Sequence, residues 1–95
     1  MKNQEFTQEI ANFLSLFGDN NRIRILIELS KKEITVTELT QNLKMSKSAI
    51  SHHLRILKDN RIIKGKKVGK NIFYSLNDNH VLSILNTTKE HIMEK

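Results

Sequence analysis

The chain has no cysteine, no proline and no tryptophan, and only three glycines and one tyrosine among 95 residues. Without cysteine there is no disulfide framework, and thiolate ligation of a metal is excluded. The lack of thiols fits a cytoplasmic protein. With no proline and so few glycines, linkers and long loops are not expected, and there is no internal repeat or low-complexity tract. No apolar run approaches the ~18 residues of a membrane span, so no membrane partner is expected. The opening segment "MKNQEFTQEI" has no hydrophobic signal core. There is also no glycine-rich phosphate loop, no cofactor motif and no nucleophile–base–orienter set. An enzyme is not expected, and neither is a small organic ligand.

What is present reads as one domain over residues 1–95. Hydrophobic residues make up 38% of the chain and charged residues 27%, an ordinary globular balance. A chain this short buries a modest core, which favours a homodimer. Sixteen Lys and Arg against ten Asp and Glu leave a net charge of +6. That excess points to a polyanionic partner, most simply nucleic acid.

Phe6, Ile10, Phe13, Leu14 and Phe17 follow helical spacing, predicting a helix over roughly Gln4 to Phe17 that Gly18 ends. Asp19 or Asn20 caps a second helix, "NRIRILIELSKK", apolar at Ile23, Leu26, Ile27 and Leu29. "EITV" is a short β-prone link. Thr37 is expected to cap a third helix carrying Leu39 and Leu43. Lys44 and Met45 turn the chain, and Ser46 caps a fourth helix, "KSAISHHLRILKDN". After Asn60 the period drops to 2. "RIIKGKKVGKNIFYSLN" reads as two strands joined at Val68-Gly69-Lys70. Asn77 or Asp78 then caps a last helix through about Met93. The order α-α-(β)-α-α-β-β-α is a mainly α fold with one β-hairpin, a winged helix-turn-helix.

On a helical wheel of the fourth helix, Ile50, Leu54 and Leu57 form one stripe. Ser48, Ser51, His52 and Arg55 form the opposite one, and Lys47 lies in the first turn. Small hydroxyls, an imidazole and a guanidinium suit base edges and phosphates in a major groove. His53 borders the apolar stripe and is expected to pack between helix and hairpin. Lys58, Arg61, Lys64, Lys66, Lys67 and Lys70 face a single acid, Asp59, across the hairpin region. With Gly65 and Gly69 giving the backbone room, this suits a wing along phosphates or a minor groove.

The pieces "LFGDNNRIRIL", "SKSAISHHLRILKDNRII" and "VGKNIFYSL" resemble the ArsR/SmtB family of metal-responsive repressors. The resemblance covers nearly the whole chain. It implies a homodimeric winged-helix repressor of double-stranded operator DNA, paired through its first and last helices and released from DNA by metal. Two features depart from many relatives. "NLKMS" lacks a glycine in the helix-turn, so Asn42 or Lys44 must absorb the strained dihedral. Lys47 stands where many members carry glutamine. At the family's cysteine-pair site stand Val36 and Glu38, so thiolate sensing of arsenite, cadmium or lead is poorly supported.

The remaining metal candidates lie in "DNHVLSILNTTKEHIMEK". On one helix His80 and His91 stand about 16 Å apart, too far for one ion to bridge. The resemblance implies an interhelical site, matching the spacing D-x-H-x10-H-x2-E. Two last helices running antiparallel across a twofold axis would bring Asp78 and His80 of one chain to His91 and Glu94 of the other. Symmetry gives two sites per dimer. Two imidazoles and two carboxylates suit zinc, with cobalt as a substitute. The family architecture implies that His91 is tied to a backbone carbonyl near Arg61. Two other readings stand beside this one: a winged-helix repressor not controlled by metal, and a basic module that docks a protein.

Overall fold

In a computed structural model that describes residues 3–94, five helices and one hairpin follow each other along the chain. They are α1 (Asn3–Ser15), α2 (Asn20–Lys31), α3 (Val36–Leu43), α4 (Lys47–Asp59), β1 (Ile63–Val68), β2 (Asn71–Leu76) and α5 (Asn79–Met93). The expected order of elements and the winged helix-turn-helix class are both found.

Side-chain caps set most helix starts. Asp19 accepts from the Arg22 amide at 3.0 Å, and Ser46 accepts from the Ala49 amide at 3.1 Å. Asp78 accepts from the His80 and Val81 amides at 2.9 and 3.2 Å. The cap of α3 is Thr35, not Thr37. Thr35 Oγ1 accepts from the Glu38 amide, and Glu38 accepts from the Thr35 amide in return, which is a capping box. Thr37 has no Glu three residues on and sits inside the helix.

The first helix ends earlier than the apolar spacing predicts. It stops at Ser15, and the amides of Leu16, Phe17 and Gly18 turn back to the carbonyls of Phe13, Leu14 and Ser15. Gly18 does not take a left-handed conformation. Two other residues do: Lys44 at φ 54° closes α3, and Arg61 at φ 61° follows α4. Arg61 is the pivot of a Schellman turn. Its amide bonds the Lys58 carbonyl, and the Ile62 amide bonds that of Leu57, each at 3.0 Å.

β1 and β2 pair antiparallel with Val68 opposite Asn71, so Gly69 and Lys70 form the loop, with Gly69 at φ 62°. The β-prone link joins this sheet: Ile34 and Tyr74 exchange backbone hydrogen bonds of 3.0 and 2.8 Å.

The core gathers Ile25, Leu26 and Leu29 of α2, Leu39 and Leu43 of α3, and Ile50, Leu54 and Leu57 of α4. Ile34, Ile62, Ile63 and Val81 complete it. On α2 the buried face is therefore rotated from the expected one. Ile25 is fully buried, whereas Ile27 is 45% exposed. Among the described residues no buried side-chain polar atom lacks a partner. The radius of gyration, 14.4 Å, exceeds the ~12 Å of a compact chain this long. Phe6, Ile10 and Leu14 of α1 stand about half exposed.

Candidate nucleic-acid interface and metal ligands

The reading helix is fixed from two sides. Ile50, Leu54 and Leu57 anchor it to the core, which leaves the polar stripe outward. Lys47, Ser48, Ser51, His52 and Arg55 are all exposed. Ser48 Oγ lies 3.3 Å from the Ser46 cap hydroxyl, so the first turn carries two hydroxyls side by side beside the Lys47 ammonium. The turn into this helix is set by Lys44, which takes the strained dihedral; Asn42 instead donates to Glu28 at 3.1 Å. Arg24 reaches over and donates to the Leu43 carbonyl at 2.8 Å, fastening α2 to the end of α3. Nothing local to Arg24 in the sequence marks a partner nineteen residues away.

The hydrogen-bond partner of His53 is on α2, not on the hairpin. His53 Nδ1 accepts from Arg22 Nε at 3.3 Å, so it joins α4 to α2. Burial holds its imidazole below the ordinary value; Asp19 pulls the other way, and Arg22 and His52 add to the lowering. A neutral ring is what the Arg22 contact requires, since a protonated Nδ1 has no lone pair to offer.

On the hairpin, Lys64, Lys66, Lys67 and Lys70 are exposed, and none forms an ion pair among the described residues. The wing thus presents free cations beside the helix face. Arrangement and charge together match a helix for the major groove flanked by a wing for the backbone or minor groove.

The candidate metal ligands divide between the two ends of α5. Asp78 and His80 come together, with Oδ1 and Nδ1 3.6 Å apart. The hydrogen bond from Asn77, followed by the Val81 amide, holds the Asp78 carboxyl below the usual carboxylate range. It is therefore an anion at neutral pH even while it caps the helix. His91 and Glu94 lie at the opposite end, both exposed. Within one chain no three metal-capable side chains cluster among the described residues. The donor types fit a divalent ion all the same: the His80 side chain is 95% exposed, and the His91 ring has no hydrogen-bond or ion-pair partner among the described residues.

A short helix, a tight turn, an outward polar helix and a cationic hairpin define the winged helix-turn-helix class. Residues 19–64 match the model of the bacterial regulatory protein, arsR family. A transcriptional repressor SmtB homolog from a Synechocystis strain is 40% identical over 87 residues, 92% of this chain and 66% of that protein. A cadmium resistance transcriptional regulatory protein CadC homolog from Staphylococcus aureus is 33% identical over 90% of this chain and 72% of its own length. Among solved structures, NolR from Sinorhizobium fredii superposes with a TM-score of 0.86 at 31% identity, covering 93% of this chain and 88% of the other. The chain belongs to the arsR family of bacterial regulatory proteins. These relatives are transcriptional regulators, not enzymes. Among the described residues no helix is long and apolar enough to cross a membrane.

Proposed function

We propose that the protein is a homodimeric transcriptional repressor that binds operator DNA and is released from it by zinc, or by cobalt in its place. The observation that carries the DNA half is the exposed polar stripe of Lys47, Ser48, Ser51, His52 and Arg55 together with the unpaired lysines of the wing. The Synechocystis relative is named a transcriptional repressor, and the S. aureus relative is tied by name to cadmium resistance.

The dimer rests on apolar surface that a single chain leaves bare. Phe6, Ile10 and Leu14 on α1, and Ile92 and Met93 on α5, are each at least 46% exposed. Between α2 and α5 lies a groove of about 390 Å³ lined by Ile23, Ile27, Ile84, Leu85 and Ile92. Apolar helix faces of this extent are buried by a partner, and a twofold pairing through α1 and α5 covers both.

In that dimer Asp78 and His80 of one chain and His91 and Glu94 of the other would hold each ion, two per dimer. Zinc in such a closed shell binds without redox chemistry and stiffens the contact between helices. Its control of DNA comes from preferring one dimer arrangement over another. The two reading helices must be spaced by about one DNA turn, ~34 Å, so a shift between protomers weakens operator binding.

The test is a zinc titration of the metal-free protein against a competing chelator, with His91→Ala alongside, followed by DNA binding with and without zinc. The reading expects one tight zinc per chain, lost in the variant, and zinc-driven DNA release that the variant abolishes. Zinc release of DNA that survives in His91→Ala sinks the metal mechanism. The absence of tight zinc leaves a winged-helix repressor outside metal control. DNA affinity should fall steeply with salt, with a log–log slope near −7 for about eight phosphate contacts. A flat slope points instead to a protein-docking module.

A further inference from the structure

Between α4 and β2 lies a second recess, of about 320 Å³, lined by Ser51, Leu54, Arg55, Lys58, Asp59 and Tyr74. Ser51, Arg55 and Lys58 stand at i, i+4 and i+7, so they form one stripe along the reading helix. Tyr74 makes the opposite wall, held by its backbone exchange with Ile34. Its ring has room because the residue across the strand pair is Gly65. A methyl group there would come within 3.2 Å of Tyr74 Cε1 and 3.1 Å of Ile72 Cγ2.

The polar groups of this recess are uncommitted. Neither Arg55 nor Lys58 forms an ion pair among the described residues, and Asp59 neutralises neither. The Ser51 hydroxyl and the Tyr74 phenol make no hydrogen bond there either. Two cations and two hydroxyl donors line the recess with a single acid, Asp59, and together they form an anion-binding set.

Position names the anion. This inference rests on the DNA reading above. A helix in the major groove and a wing in the adjacent minor groove straddle one sugar–phosphate strand, which must cross the space between them. That space is this recess. We infer that the cleft between α4 and β2 seats a phosphodiester of that strand, with Arg55 and Lys58 supplying charge and Ser51 Oγ and Tyr74 Oη donating hydrogen bonds. Contacts of this kind fix register on the duplex and carry no sequence preference. Lys58, Tyr74 and Gly65 thereby join the interface, although none lies on the wing tip or at the start of the reading helix.

The experiment measures binding to a random-sequence duplex across a salt series, for wild type, Lys58→Gln, Tyr74→Phe and Lys31→Gln. The last removes an equal charge at the end of α2, on a lysine that lines neither recess. Lys58→Gln should flatten the log–log salt slope by about 0.9 for each phosphate that the variant no longer neutralises. Tyr74→Phe keeps the ring and the fold and should weaken binding about threefold to tenfold, equally on random and operator DNA. Lys31→Gln should leave the slope at the wild-type value. Retained DNA binding with unchanged slope and affinity in both cleft variants overturns the cleft and leaves the DNA reading standing. Failure of the wild type to bind any duplex overturns both. Saturable binding of inorganic phosphate that Lys58→Gln abolishes, with no change on DNA, would make this a free-anion site and also overturns the proposal.

Discussion

Arg22 Nε donates to His53 Nδ1 across 3.3 Å, a polar tie between the second helix and the reading helix. The contact exists only while His53 is neutral, and burial, the largest influence on it, favours the neutral ring. The folded state therefore binds this proton less readily than the unfolded chain. Stability from His53 is fully present above the unfolded value of about 6.5 and is lost as the pH falls from there through the depressed folded value. Thermal midpoints at about pH 7.5 and about pH 5.5 check this. The wild type should lose stability on acidification, and His53→Gln should lose less. An equal loss in both proteins would remove His53 as the cause.

Lys44 closes α3 at φ 54°, ψ 43°, with its amide bonded to the Thr40 carbonyl at 2.9 Å. A side chain in this left-handed region costs about 1–2 kcal/mol, and glycine avoids that cost. The gain is partly offset because glycine loses more backbone freedom on folding. Lys44→Gly should therefore stabilise the fold by about 0.5–1 kcal/mol, seen as a raised denaturation midpoint. Its ammonium is exposed and forms no ion pair, so removing it breaks no contact among the described residues. A lowered midpoint would show that the turn depends on lysine for something other than its dihedral.

The sequence carries the local signals well and the tertiary ones poorly. Ser46 declares itself as a cap, Gly69 as the hairpin turn, and Ile50, Leu54 and Leu57 as the packed stripe of α4, while the cap of α5 is narrowed to Asn77 or Asp78. Thr35 is equally legible, since Thr35-Val36-Thr37-Glu38 is a capping-box pattern that favours Thr35 over Thr37. The buried face of α2 is not. Ile25 and Ile27 are both apolar, and which one goes inside depends on where α3, β2 and α5 lie around the helix. The Arg61 turn is hidden because "KDNRII" has no glycine to mark its left-handed residue. His53 and Arg22 are 31 positions apart, so periodicity places His53 at the border of the core without naming its neighbour. The α4–β2 cleft shows the same limit. Ser51 and Arg55 are visible as outward residues, but Tyr74 reads as an ordinary alternating strand residue until its opposite number is seen to be Gly65.

Asp78 has two candidate duties, capping α5 and ligating metal, and a single substitution separates them. Asparagine is as good an N-cap as aspartate, because its side-chain oxygen still accepts from the amides of His80 and Val81. It is a far poorer zinc ligand, having no negative charge. Asp78→Asn should leave the helical circular dichroism and thermal midpoint of the metal-free protein close to wild type while weakening zinc binding by about tenfold or more. Asp78→Ala should damage both. If Asp78→Asn binds zinc as tightly as wild type, Asp78 serves the helix alone and the ion must draw its ligands from elsewhere.

The exposed stripe on α1 sets the last prediction. Ile10 and Leu14 are one turn apart and 46% and 50% exposed, on a helix that otherwise touches the domain through Phe13. In a twofold dimer each substitution is present twice, so its cost is doubled. Half-burying a leucine contributes about 1 kcal/mol per copy, and a buried unpaired carboxylate subtracts more. Leu14→Glu should weaken the dimer at least roughly thirtyfold, measured as a shift to monomer in sedimentation equilibrium at concentrations where the wild type is paired. The fold of the single chain should survive, since Leu14 lies outside the buried core. Because each proposed zinc site takes ligands from two chains, the monomeric variant should also lose tight zinc although Asp78, His80, His91 and Glu94 are all present. Tight zinc retained by a monomer would place the ligands within one chain and remove the intersubunit site.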